Sequence, residues 1–223
     1  MRDNDIRSLG YVLKRTNYGE ADRILNIITP EKKISVIAKG ARREGSKLAG
    51  GIEMFTLSDF NVHFGKGNLG VLTSAKMVKH HGEIAKDYNK VELSAMILRK
   101  VSFFSDNFDS PEYFKVVDQS LRFINNSNNL KLVEAWSFLK LKKIVGEEIN
   151  LYRDADGKLL ERDKKYSWDS NSSAFLCDEN GKYGENEIKM LRIMVGGNLE
   201  VAERVKTSSD MIEDILRLVR AVV

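Results

Sequence analysis

The stretch from Tyr18 to Arg43 constrains the fold most, because two short strands in it lead directly into a cationic loop. Residues 25–29 and 34–38 are rich in β-branched side chains, and the polar link between them starts at Pro30. This pattern predicts a β-hairpin. The second strand continues into residues 39–43, Lys-Gly-Ala-Arg-Arg, whose glycine lets the backbone bend. A small barrel can present basic groups to a phosphate backbone in this way, although a lone basic triplet would also suit a solvated loop.

Three further strands are predicted around this hairpin, over residues 6–16, 55–64 and 69–79. Five short strands within about 80 residues, with no long helix among them, predict a closed or nearly closed barrel, and a five-stranded OB-type barrel fits best. The last two strands are each expected to turn one apolar face to the core: Phe60, Val62 and Phe64 in the first, and Leu69, Val71, Thr73, Ala75 and Met77 in the second.

After residue 82 the apolar period changes from that of strands to that of helices. Helices are predicted over residues 88–104, 111–124 and 130–145, and we expect these three to share a bundle core. The overall fold class is therefore α+β, with an OB-fold barrel over residues 1–82 and an α-helical bundle domain over residues 83–223.

The helical domain is interrupted by residues 151–183, which read as a small irregular or hairpin insertion with Asp-Gly and Asn-Gly turns. Helical spacing returns at residues 188–194. A last helix is predicted to start near Ser209, with Asp210 and Glu213 as a capping box.

Basic charge is concentrated in the predicted barrel. Residues 1–86 hold 15 Lys and Arg against 9 Asp and Glu, whereas the rest of the chain has a balance of −2. This asymmetry favours an acidic polymer as the partner of the barrel. A single cysteine, Cys177, excludes an internal disulfide, and we expect a cytoplasmic protein with no signal peptide and no membrane helix.

Motifs that resemble enzyme or ligand sites have simpler interpretations here. The GxGxxG pattern at residues 65–70 is followed by a strand rather than by a helix, so we interpret it as a hairpin turn. His63, His80 and His81 lack nearby metal-ligand spacing and are expected at the surface or beside a partner strand. Asp154–Gly157 is too short for a calcium loop. We therefore predict no catalytic residue, no metal and no cofactor.

The better functional signal is a set of basic residues at strand ends and loops, interleaved with aromatic ones. Such residues track a nucleic-acid backbone and stack on its bases. Tyr18, beside a turn, is the best candidate for an exposed ring, whereas Phe60 and Phe64 are expected in the core. The predicted DNA-binding residues are Lys14, Arg15, Arg23, Lys39, Arg42, Arg43, Lys47, Lys66 and Lys76.

The order of these segments resembles the RecO family of bacterial recombination mediators and DNA repair proteins. The resemblance is carried by YGEADR at residues 18–23, AKGARR at 38–43, Ser-Lys-Leu at 46–48, and then Glu53 and Phe55. It is specific over about residues 6–80 and rests on the order of elements over residues 88–222. By position, Arg23, Lys39, Arg42, Arg43 and Lys47 match the basic motif residues of the family.

The resemblance implies an OB-fold that binds single- and double-stranded DNA, followed by a helical domain. It implies action without enzymatic chemistry: annealing of complementary strands, and loading of recombinase onto DNA coated by single-strand-binding protein (SSB). The implied partners are the acidic C-terminal tail of SSB and RecR, and the implied location is the nucleoid. The alternatives are a protein-only adaptor that docks SSB through its helical domain, and an enzyme such as a nuclease.

One departure concerns the insertion at residues 151–183, where many family members carry four zinc-binding cysteines. Here only Cys177 is present, and Ser172 and Ser173 stand where paired glycines are usual. We therefore predict that the insertion binds no zinc and is held instead by the packing of Trp168, Phe175 and Leu176.

Overall fold

The fold is that of a computed structural model, which describes residues 5–222. The chain forms two compact units, the first ending at Asn126 and the second beginning at Ser127. The last barrel strand ends at His80, two residues before the predicted boundary, whereas the first compact unit continues through two further helices. Among residues 5–222, no helix is both long and apolar enough to span a bilayer.

Five strands in the first unit form a closed barrel in the order β1-β2-β3-β5-β4. All neighbouring pairs are antiparallel except β3 and β5, which run parallel. This is the strand order of an OB-fold, so the predicted fold class is confirmed. The strands are β1 Asp5–Tyr18, β2 Asp22–Ile28, β3 Lys33–Ala38, β4 Thr56–His63 and β5 Leu69–His80.

The barrel interior is filled by alternate residues of each strand, as the period of two in a strand requires. In β4 the buried face includes Phe60 and Val62, and Phe64 packs against the same core from just beyond the strand. The predicted apolar face of this strand is therefore confirmed. The other strands contribute branched side chains that include Val12, Leu25, Ile27, Ile34, Val36 and Leu72.

The predicted inner face of β5 is wrong at Leu69, Thr73 and Met77, the last of which is 45% exposed. Leu69 is 45% exposed and Thr73 is exposed, while Gly70 and Leu72 are buried. The pairing with β4 explains this, because Leu72 pairs with Val62 but Ser74 pairs with Asn61. The extra residue, Thr73, forms a bulge that shifts the alternation by one, so that Ala75 points inward after it.

Two helices, α1 Tyr88–Phe104 and α2 Pro111–Asn126, pack on the outside of the barrel. Asp87 caps α1 by accepting hydrogen bonds from the backbone N–H groups of its first turn. Lys33 of β3 fixes the other end of α1, because its ammonium group donates to the Ser102 carbonyl at 2.8 Å and pairs with Asp106.

A buried polar network joins the barrel to α2. The Tyr11 hydroxyl donates to the Asp118 carboxylate at 2.8 Å, and it lies 3.2 Å from Nε2 of His81. Because the hydroxyl proton is committed to Asp118, His81 must donate through Nε2. Of the two locations expected for His81, the surface is excluded, since the side chain is buried beside Tyr11 of β1. Burial also lowers the pKa of His81 to about 4 and raises that of Tyr11.

Acidification should therefore destabilise the first unit before its carboxylates titrate. In the unfolded chain the His81 imidazole takes up a proton near its ordinary pKa of 6.5, whereas in the folded chain its pKa is lowered to about 4. The unfolded state binds more protons in this window, so stability falls as the pH drops from 6.5 towards 4. We expect a loss of about 1.5 kcal/mol between pH 6.5 and 5. Urea unfolding across this range measures it.

The comparison for this experiment is His81→Gln, which keeps a polar side chain but removes the titrating group. Its stability at neutral pH should be lower, because the fit beside Tyr11 is imperfect, but its pH dependence between 6.5 and 5 should be flatter. Parallel curves for the two chains would show that another group controls the acid sensitivity.

The second unit contains four helices and a β-hairpin within the described residues: α3 Leu130–Ile144, the hairpin strands β6 Tyr166–Asp169 and β7 Ala174–Cys177, α4 Glu185–Gly196, α5 Leu199–Arg204 and α6 Ser209–Val222. Helix α3 packs with α4, α5 and α6, whereas α1 and α2 belong to the first unit. The three helices predicted to share one bundle core are thus divided between the units.

The start of α6 corrects another local prediction. Ser208 caps the helix, its hydroxyl accepting from the N–H of Met211 at 3.1 Å. The predicted capping box of Asp210 and Glu213 is wrong, because Glu213 pairs with Lys131 of α3 instead. A tertiary ion pair has replaced the predicted local hydrogen bonds of a capping box. Helix α5 is a further difference, since no helix was predicted there.

The insertion is a hairpin that packs around aromatic rings, as predicted for Trp168 and Phe175. Phe175 is buried, with the ring centroids of Trp168 at 5.2 Å, Tyr183 at 5.6 Å and Tyr166 at 6.3 Å, all near edge-to-face. The prediction for Leu176 is wrong, because that side chain is 41% exposed on the other face of β7. Tyr166 and Tyr183 take its place in the cluster.

Candidate nucleic-acid interface

The loop at residues 39–43 and the turn at residues 18–22 lie together at one end of the barrel. The backbone N–H of Gly40 donates to Oδ1 of Asp22 at 2.7 Å. Arg42 adds two bonds to the same turn, from its backbone N–H to the Ala21 carbonyl at 2.8 Å and from Nη1 to the Gly19 carbonyl at 3.2 Å. Two segments far apart in sequence thus form one structural element, which we call the loop–turn unit.

Glycine is required at residue 40 because its φ is +64°, in the left-handed region that other residues rarely adopt. This conformation ends β3 and directs the chain across the barrel end. It brings Lys39, Arg42 and Arg43 to the surface, where all three side chains are exposed. In the part of the chain that the structure describes, none of the three has a carboxylate partner.

Arg23 lies beside this unit on β2, in register with Asn17 of β1 and Ala38 of β3. Its Nε is buried and has no hydrogen-bond partner among residues 5–222. A buried guanidinium nitrogen without an acceptor costs free energy, and Arg23 forms no ion pair with a carboxylate among residues 5–222. Its charge is left uncompensated near the three basic side chains of the loop.

Two further predicted residues flank the unit without an ion pair in the described chain. Lys47 is exposed on the long connection that follows the loop, and Lys14 is exposed on β1 opposite Asn26. Arg15 differs from them, because its Nη1 lies 2.9 Å from Oε2 of Glu53. Its charge is already compensated, so a phosphate would have to displace that carboxylate.

The structure separates Lys66 from this group. Lys66 lies on the β4–β5 connection at the opposite end of the barrel, beside an open cleft of about 680 Å³ that is also lined by Lys32, Lys33 and Asp109. Lys33 there is engaged by Asp106. Acidic groups therefore offset much of the basic charge at this end.

Lys76 is also apart, on the outer face of β5 opposite Asp59. That carboxylate is already held by Arg7, whose Nη2 lies 2.6 Å from Oδ2, and this hydrogen bond lowers the pKa of Asp59. The nine predicted residues therefore do not form one surface. The structure groups Arg23, Lys39, Arg42 and Arg43 most closely, with Lys14 and Lys47 at their margin.

Of the aromatic residues noted in the sequence, Tyr18 suits contact with a ligand. It is 55% exposed at the end of β1, next to the turn of the loop–turn unit, which confirms the prediction of exposure. Tyr11 and Phe60 are buried and cannot stack on a base. An exposed ring beside several cations is the combination that single-stranded nucleic acids bind.

Sequence reasoning missed Asp22, which contacts the cationic loop directly. A carboxylate within a basic motif resembles a charge-balancing surface residue, and the sequence alone gave no sign of its bond to Gly40. The acidic residue could have been found only from the observation that the β1–β2 turn and the β3 end meet at the same end of an OB barrel.

The hairpin insertion does not fit a zinc site. Its interior is occupied by the rings around Phe175, and Cys177 is exposed. Across residues 5–222, no three His, Cys, Asp or Glu side chains come together as metal ligands would.

Comparison with known families matches both parts of the chain. The family described as Recombination protein O N terminal matches residues 1–81, and Recombination protein O C terminal matches residues 90–223.

Curated proteins named DNA repair protein RecO are similar along much of the chain. The one from Dehalococcoides mccartyi is 23% identical over 230 residues, covering 99% of this chain and 90% of that protein. The one from Listeria monocytogenes serotype 4b is 25% identical over 195 residues, covering 82% and 74%. The one from Roseiflexus sp. is 28% identical over 156 residues, and there the alignment spans 70% of this chain but only 55% of the relative.

Proposed function

Because the chain belongs to the RecO family, we propose that it is a DNA repair and recombination mediator that binds single- and double-stranded DNA and anneals complementary strands. The relatives named above are DNA repair proteins by name. The binding proposal rests mainly on the loop–turn unit. There Lys39, Arg42 and Arg43 are exposed at one end of the barrel and have no carboxylate partner among residues 5–222.

Binding is proposed to be electrostatic and independent of base sequence. Basic side chains that contact phosphates release condensed counterions, which drives association and makes it sensitive to salt. Tyr18 adds a ring on which a base of a single strand can stack. Duplex DNA offers the same phosphates but no free bases, so we expect its affinity to rest on the cations alone.

Annealing follows from charge neutralisation and requires no bond to be made or broken. Two complementary strands repel each other through their phosphates, and a protein that neutralises part of this charge lowers the barrier to pairing. We accordingly propose that the chain acts without enzymatic chemistry. A role in which it helps load recombinase onto SSB-coated DNA is the corresponding cellular activity.

The proposed protein partners are the acidic C-terminal tail of SSB and RecR, and the proposed location is the nucleoid of the cytoplasm. These partners are supported by membership of the family. A protein-only adaptor that docks SSB through its helical domain remains the alternative, and it differs in needing no contact between the barrel and DNA.

A strand-annealing assay tests the proposal. Two complementary labelled strands, bare or coated with SSB, are mixed with the protein over a series of salt concentrations. We expect faster annealing in both cases, with an advantage that declines steeply as salt rises. A protein that binds SSB but neither binds DNA nor speeds annealing would support the adaptor, and metal-dependent degradation of the strands would indicate a nuclease.

A further inference from the structure

The acidic residue of the loop–turn unit has a role that its charge alone does not suggest. Asp22 begins β2, in register with Tyr18, and its Oδ1 accepts the Gly40 N–H at 2.7 Å. We propose that Asp22 is a positioning residue for nucleic-acid binding, which orders the cationic loop in the conformation that meets the phosphates. This inference rests on the proposed function, since it describes how the same surface is held ready.

The loop needs such a support because the β-ladder ends before it. The register between β2 and β3 stops at the pair Arg23 and Ala38, so the residues that follow have no strand partner. A free loop would lose conformational entropy on binding, and that loss would weaken the complex. The bond from Asp22 fixes the backbone at Gly40, immediately after Lys39 and before the two arginines.

Arg42 and Arg43 have different positions within this arrangement. Arg42 is engaged with the turn through both its backbone N–H and its guanidinium group. The side chain of Arg43 has no hydrogen bond or ion pair within residues 5–222, and the same holds for Lys39. Arg42 therefore reinforces the bond made by Asp22, and Lys39 and Arg43 are the side chains left for phosphates.

The two possible roles of Asp22 predict opposite changes in DNA-binding affinity when its carboxylate is removed. If the carboxylate acts only as a negative charge beside the cations, its loss strengthens binding of a polyanion. If it positions the loop, its loss weakens binding even though the local charge becomes more positive. A matched control lies two residues earlier: Glu20 is an exposed acid in the same turn and has no hydrogen bond or ion pair among the described residues.

The experiment compares three variants for binding of a labelled single strand of mixed sequence at fixed salt. Asp22→Ala should bind about tenfold more weakly than wild type, because the loop loses its support. Asp22→Asn keeps an oxygen acceptor for Gly40 and should stay within about threefold of wild type. Glu20→Ala removes the same charge without touching the loop and should bind equally well or more tightly.

Amide hydrogen exchange in the free protein is a second measurement, because a change of charge alone would not alter the exchange rate at Gly40. The Gly40 N–H should exchange about tenfold faster in Asp22→Ala than in wild type, and at the wild-type rate in Glu20→Ala. Circular dichroism checks that each variant is folded. Should Asp22→Ala not fold, Asp22→Asn still decides: rapid exchange at Gly40 together with wild-type affinity overturns the proposal.

The outcomes separate this inference from the function on which it rests. If the wild-type chain binds DNA and Asp22→Ala binds it equally well or better, positioning is overturned and the proposed function stands. Weaker binding by Asp22→Ala with unchanged exchange at Gly40 also overturns positioning. If the wild-type chain binds no DNA, the proposed function fails and the inference fails with it.

Discussion

Changing both Lys39 and Arg43 to glutamate is expected to weaken single-strand binding by about 100-fold at moderate salt. Each side chain is exposed and has no carboxylate partner among residues 5–222, so each can contact a phosphate directly. A hydrogen bond to a charged group contributes about 1.5–3 kcal/mol, and two such losses correspond to at least 100-fold in affinity. Fluorescence anisotropy with labelled strands of unrelated sequence measures the effect, which should be the same for all of them.

Salt dependence shows whether the lost interactions are phosphate contacts. For single strands, the slope of log affinity against log salt should decrease in magnitude by about 0.7 for each contact removed. The matched control is Lys32→Glu with Lys206→Glu, because both lysines are exposed and the change in net charge is identical. An equal loss of affinity in this control would show that overall charge, rather than the loop–turn unit, determines binding.

Phe175→Ala should destabilise the second unit by about 3–5 kcal/mol, the usual effect of truncating a buried aromatic residue. Its ring is fully buried and is packed against Tyr166, Trp168 and Tyr183, so the variant would leave a cavity where three rings now meet. In urea unfolding, the transition of the second unit should move to lower denaturant. The transition of the barrel unit should remain where it is.

The adjacent residue supplies the control for this variant. Leu176→Ala removes an apolar side chain that is 41% exposed, and it should change stability by less than about 1 kcal/mol. Both variants should keep the wild-type affinity for single strands at low temperature, since the loop–turn unit lies wholly in the first unit. Loss of binding by Phe175→Ala while the barrel remains folded would place part of the interface in the second unit.

Much of the fold follows from local sequence. The β-branched runs and turn residues gave all five strands to within a few residues, and the apolar period located α1, α2, α3, α4 and α6. These features depend on interactions between residues near in sequence, such as pleating, helical spacing and turn formation. The Tyr18–Arg43 stretch also indicated a basic loop on a barrel, because the motif and the hairpin that positions it are contiguous.

The errors share a different cause. The inner face of β5 depended on a bulge at Thr73, which is defined only by pairing with β4. The buried position of His81 depends on Tyr11 and Asp118, which are distant in sequence. Glu213 forms an ion pair with Lys131 instead of the predicted cap. None of these partners is a sequence neighbour, so neither propensity nor period could reveal them.

The sequence by itself determined a cationic OB barrel joined to helices, and it determined which residue types could meet a phosphate. Only the tertiary structure decided which of those residues lie together. Arg23, Lys39, Arg42 and Arg43 lie at one end of the barrel, and Lys66 lies at the other. Asp22 is hydrogen-bonded to the loop at Gly40. The physical reason is that closing a barrel brings together turns that are distant along the chain, and the geometry of that closure is a property of all its strands at once.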